Sequence, residues 1–153
     1  MKKFLMVLMM AFSIAVTLTA CNSTLEEPGK TIAIYNSGST TLVVIPVDGV
    51  ESKNENTDEA IMLYPKRTVK MTFSAEYDYL WFAVNPTIYK TDTGVVVISG
   101  YRYYLTGISE GYCYNACLKS NGYVDCFRGR VSEEDMESFP EGKLAKDTIV
   151  EVD

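Results

Sequence analysis

Residues 68–84 read TVKMTFSAEYDYLWFAV, and two patterns within them decide the fold class. In Thr68–Phe73, Val69, Met71 and Phe73 face one way while Thr68, Lys70 and Thr72 face the other. That two-residue period belongs to a strand with one wet face. Tyr79–Val84 is apolar on both faces, as expected of a strand covered on both sides. Upstream, Thr31–Tyr35 and Thr41–Val47 flank Asn36-Ser37-Gly38-Ser39 and are predicted to pair as a hairpin. Asp48 to Glu59 is polar and reads as an exposed loop, and Ile61–Tyr64 leads to Pro65. Downstream, Val95–Ile98 and Tyr101–Leu105 meet at Ser99-Gly100, which predicts a two-residue turn. Long 3.6-residue periodicity is absent. Ser132 followed by Glu133, Glu134 and Asp135 predicts one short helix over 132–139, ended by Pro140. Thr148–Val152 is expected to form a last strand. Short strands at regular spacing predict a mainly β chain: a single antiparallel sandwich or a small barrel.

The segment Ile32–Val84 resembles the Ig-like accessory domains of bacterial envelope proteins. IAIYNSGSTTLVVIPV, then LYPKRTVKMTFSA and YLWFAV, match the order of their early strands. An Asn-x-Gly turn precedes one strand and a Leu-x-Pro step precedes an alternating one. Lys66 and Arg67 stand where that pattern usually has glycine after the proline. The resemblance implies an Ig-like sandwich and informs fold alone, because such folds host unrelated functions.

The first residues carry a different signal. Lys2 and Lys3 precede an uncharged, mostly apolar run from Phe4 to Leu18. As a helix it would rise roughly 22 Å, short of the ~30 Å hydrocarbon core, so it reads as a signal for secretion. The run ends in Leu18-Thr19-Ala20-Cys21, which resembles the lipobox of bacterial lipoproteins. That resemblance implies cleavage before Cys21, a diacylglyceryl group on its sulfur and a further acyl chain on its amine, enough for stable anchoring. Asn22 in place of aspartate implies the outer membrane if the host is Gram-negative. The chain thus divides into residues 1–20 as signal peptide, 21–30 as lipidated cysteine and flexible tether, and 31–153 as one β-rich domain.

Cys113, Cys117 and Cys126 remain, in what would be an oxidising space. A two-residue turn at Asn121-Gly122 sets Cys117 opposite Cys126, within disulfide reach, and leaves Cys113 as the free thiol. The alternative is a helix over 113–120 with Cys113 and Cys117 on one face and Cys126 bonded to either. Cys-x3-Cys is not the spacing of redox enzymes, and three thiolates make a poor zinc site.

Composition narrows the chemistry further. The 153 residues contain no His, which excludes Ser-His-Asp and Cys-His catalysis and His-ligated metals. The formal charge of −6 opposes nucleic-acid binding. Asn54, Asn56 and Asp58 alternate as in a calcium loop, but Glu59 and Pro65 occupy positions that need Gly and a bidentate Glu. No metal, cofactor or catalytic motif is therefore expected beyond the lipid on Cys21.

Nine of the 11 tyrosines fall between Tyr77 and Tyr123, alongside the single tryptophan, Trp81. Tyr79 and Trp81 share one strand face, and Tyr101 and Tyr103 share another. These four are the candidate binding surface, since rigid amphipathic rings suit sugar stacking and protein contact. The plainer reading is that the rings are core. The sequence thus points to a non-enzymatic, membrane-anchored accessory module with a protein or glycan partner. The alternative is a small enzyme inhibitor, because Ser99-Gly100-Tyr101-Arg102-Tyr103 resembles the Ser-Gly-x-x-Tyr segment of periplasmic lysozyme inhibitors. Their downstream Trp-x-Lys-Gly element is absent.

Mass spectrometry of the membrane-extracted protein should find a new N-terminus at Cys21 carrying lipid mass, and Cys21→Ser should release the domain from membranes.

Overall fold

The computed structural model describes residues 28–49, 55–106, 108–121 and 124–149. The proposed signal peptide, Cys21, most of the tether and Asn54 lie outside these residues. The strands are β1 (Lys30–Asn36), β2 (Leu42–Val47), β3 (Ile61–Leu63), β4 (Thr68–Phe73), β5 (Tyr79–Lys90), β6 (Val96–Thr106), β7 (Tyr112–Leu118), β8 (Val124–Arg130) and β9 (Lys143–Leu144). Among the described residues one helix, α1 (Glu133–Ser138), precedes β9, and a 3-10 turn (Ala145–Thr148) follows it. Two sheets, ordered β4-β1-β7-β8 and β6-β5-β2-β3-β9, pack as a sandwich, and the barrel is not formed.

The alternation read from Thr68–Phe73 holds: Val69, Met71 and Phe73 point inward. They meet Ile32, Ile34, Tyr114 and Ala116 of their own sheet, and Leu42, Val44, Leu80, Phe82 and Val84 of the other. Burying Tyr114 strands no hydroxyl, because its Oη accepts the Ser109 N–H at 2.8 Å. β2 is buried at every residue. Its outer side, Val43, Ile45 and Val47, forms a second apolar cluster with Met62, Ala83, Ile98 and Ala145. The C-terminal turn thus helps cover one face of the five-stranded sheet.

The expected hairpin of the first two strands does not form. β1 pairs with β4 and β7, whereas β2 pairs with β3 and β5, so the chain crosses between sheets at residues 37–41. Asn36 makes that crossing. It is the one fully buried polar side chain among the described residues. Its Oδ1 accepts the Gly38 N–H at 3.0 Å, and its Nδ2 donates to Thr40 O at 2.8 Å and Leu63 O at 3.1 Å. Its own N–H donates to Arg67 O, its carbonyl accepts the Lys66 N–H, and the next N–H, of Ser37, donates to Ala116 O. Lys66 has φ +58°, the left-handed conformation in which glycine carries no Cβ penalty. Glycine would meet that conformation without strain. Here a lysine occupies it, tied to Asn36 O by its N–H and to Ser37 O by its ammonium.

β1 and β7 run parallel, whereas the other named strand pairs run antiparallel. Ser99-Gly100 is no turn either. β6 runs unbroken through it, and the reversal falls at residues 91–95, where the Thr91 N–H donates to Val95 O and the Gly94 N–H to Thr91 O. Gly100 instead faces a β-bulge at Asn85-Pro86. It takes φ +138°, and a Cβ there would lie 2.7 Å from Val84 O. The close backbone approach requires glycine.

The helix forms as read, with Ser132 Oγ accepting the Asp135 N–H at 3.1 Å and Met136 buried. Of the predicted last strand Thr148–Val152, Thr148 ends a 3-10 turn (residues 145–148), and residues 150–152 lie outside the described residues. Between helix and turn, residues 140–142 strap the edge of β4. Lys70 N donates to Pro140 O at 2.7 Å and Gly142 N to Lys70 O at 2.8 Å. Lys70 Nζ adds ion pairs to Glu141 at 3.1 Å and Glu137 at 3.6 Å.

Asn36→Ala should lower stability by about 2 kcal/mol, because it orphans one buried and two partly buried backbone groups at the crossing; the shift in urea midpoint measures it.

Candidate interaction surface

The four aromatic residues singled out in the sequence do not form one surface. Tyr79 and Trp81 lie on the outer side of the five-stranded sheet, half-buried against the cluster of Val43, Ile45 and Ala145. Tyr103 lies on the opposite side, packed against the central core near Phe82, its partner across the ladder. Tyr101 shares that side but sits beyond the core and is 75% exposed. Strand periodicity gives which residues share a face on one strand, but not which faces of two strands coincide.

The bulge creates the surface that does exist. Before it, even-numbered residues of β5 (Leu80, Phe82, Val84) face the core; the extra residue at 85–86 reverses the alternation. Beyond it, Ile88 turns to the outer cluster with Val96 and Ile98. The other side of this two-stranded ribbon presents Thr87, Tyr89, Val97, Ser99 and Tyr101. Tyr89 is 48% exposed, and Ser99 Oγ donates to Thr87 O at 3.3 Å. This side of the ribbon carries two open phenol rings, two short hydroxyl side chains and no charged group. The ribbon was not legible as such, because the bulge is unmarked except by Asn85-Pro86 and the glycine opposite.

The cysteines sit differently from the expectation. In the β7–β8 pair Cys126 lies opposite Ala116, and Cys117 opposite Asp125. The connection spans residues 119–123, so the register slips by one from that of a two-residue turn at Asn121-Gly122. One residue of slip places Cys117 and Cys126 on opposite faces, with side chains diverging, and no disulfide joins them. The helical alternative for 113–120 is also replaced, by β7. Cys113 and Cys117 share the outer face but lie four residues apart on an extended strand, ~13 Å, beyond disulfide reach. All three described cysteines are free. Burial, assisted by Asp125, pushes the Cys126 thiol up to about 12, and burial also raises Cys113. Both stay protonated at neutral pH.

The described residues line several clefts open to solvent. One of about 530 Å³ is lined by Glu59, Ser74 and Glu76 at the end of β4. Glu59 is committed to holding the loop before β3: its Oε1 accepts Ser74 Oγ at 3.0 Å, and its Oε2 accepts Ser74 N at 3.2 Å and Asn56 Nδ2 at 2.5 Å. Asp58 pairs with Lys146 at 3.2 Å. The described members of the calcium-like alternation thus serve as struts. Among the described residues no cluster of His, Cys, Asp or Glu fits a metal ion.

Comparison with protein-family profiles, characterised proteins and solved structures returns no match.

Without reductant the unfolded domain should titrate three thiols, and reductant should not change its mass. In the native state Cys126 should be the last to react. Its ionisation, near 9 when unfolded and about 12 when folded, should lower stability as pH rises above about 9. A native mass lower by two hydrogens would restore the hairpin disulfide.

Proposed function

We propose that this chain is a lipid-anchored, non-enzymatic module of the bacterial cell envelope that binds a partner through the exposed side of the β5–β6 ribbon. The observation that carries the binding reading is the pair Tyr89 and Tyr101, left open on an uncharged face while Tyr79 and Tyr103 of the same two strands pack against apolar clusters. Exposed rings held on paired strands supply contact area at little conformational cost. The lipobox at Leu18–Cys21 supports the anchor, with the outer membrane favoured in a Gram-negative host. Absence of His and of any nucleophile or phosphate-loop motif supports a binding role over catalysis. Trp81, packed in the outer cluster, serves stability in this reading and makes no partner contact.

Capture from solubilised native envelopes tests the proposal. The wild-type chain should retain a partner that Tyr89→Ala/Tyr101→Ala loses, while both proteins keep the same urea midpoint. Equal retention by the two would remove the ribbon from the function, and a chain recovered in the soluble fraction would remove the anchor.

A further inference from the structure

The chain enters the sandwich at one end of β5. Lys30 donates through its ammonium to Tyr77 O at 2.9 Å and pairs with Asp78, immediately before the first residue of that strand. β5 then runs 12 residues to Lys90 at the ribbon tip, a span of roughly 35–40 Å at about 3.3 Å per residue. Tether and ribbon tip therefore lie at opposite ends of the longest strand. An anchor at Cys21 would tether the domain through its Lys30 end, the end opposite the ribbon tip.

The chemistry of the exposed side narrows what it meets there. Tyr89 and Tyr101 offer flat rings, the Thr87 hydroxyl and the Ser99 hydroxyl oxygen lie between them, and Val97 sits across the ladder from Tyr89. A charged peptide would find no counter-charge among these five residues. A sugar ring presents an apolar C–H face to a phenol and hydroxyls to short polar side chains, so the match is to a carbohydrate. Rings spaced along a strand pair also suit a repeating chain better than a single compact ligand. We propose that the partner of the ribbon is a glycan chain, gripped at the end of the fold opposite the tether by stacking on Tyr89 and Tyr101. This rests on the binding-module reading above and names its ligand class.

The test uses the full lipidated chain in detergent, co-sedimented with two insoluble probes, purified peptidoglycan and cellulose. The wild-type chain should sediment with at least one of them. Tyr89→Ala/Tyr101→Ala should reduce the bound fraction about tenfold or more. Tyr89→Phe/Tyr101→Phe should restore most of it, since the rings and not the phenol hydroxyls do the stacking. Tyr64→Ala, at an exposed tyrosine off the ribbon, should sediment like wild type. Unchanged protection of the Cys126 thiol certifies that each variant is folded. Wild type staying in solution with both probes overturns the proposal, as does undiminished sedimentation of the alanine pair. If sedimentation fails while Tyr89 and Tyr101 still govern capture of an envelope protein, the glycan is wrong and the binding module stands.

Discussion

The amide of Asn36 sits where β1 leaves the four-stranded sheet, and it donates to a carbonyl of β3 in the five-stranded one. The same residue's backbone holds Lys66 and Arg67, and the following N–H reaches Ala116 on β7. One residue therefore joins both sheets and three separate segments. Burying an amide is costly unless its donors and acceptor are satisfied, and here all of them are. Because each partner is a backbone group at a fixed place, no apolar residue of similar size could reproduce the geometry. The constraint extends to Lys66: its left-handed backbone is held by the carbonyl of Asn36, so a turn that ordinarily calls for glycine tolerates a long cationic side chain.

Two single-residue shifts determine the remaining surface. An extra residue in β5 reverses which side chains face the core, and so carries Tyr89 out to solvent on the same side as Tyr101. A one-residue difference in the β7–β8 register separates two thiols that a tighter turn would have joined. Because strand side chains alternate with period two, a shift of one exchanges inside for outside over everything beyond it. The surface chemistry is therefore set by the places where the ladder is irregular.

The same fact explains what was legible beforehand. Thr68–Phe73, Tyr79–Val84 and the Ser132-capped helix were readable because their signals are local: alternation, a doubly apolar run, a side-chain cap before acids. The sandwich followed from their spacing. The partners of β1 were not readable, because Asn36-Ser37-Gly38-Ser39 fits a hairpin and a crossing between sheets equally well. What decided between them was a buried carbonyl 27 residues away at Leu63. Gly100 misled for a related reason. Glycine marks a turn and a close backbone approach alike, and the bulge that demands it lies on a different strand. Of the four proposed aromatic contacts only Tyr101 ended on an open face, and Tyr89 was missed because its exposure depends on that bulge.

The parallel contact of β1 with β7 has a kinetic meaning. Residues 33–36 find that neighbour only when residues 113–116 are at hand, some 80 positions later. Loop closure over such a distance is slow, and sheets built from remote pairs fold over milliseconds to seconds. A chain emerging N-terminus first could pair its opening strand with β4 early, but the other edge of that strand would stay open until most of the length had followed.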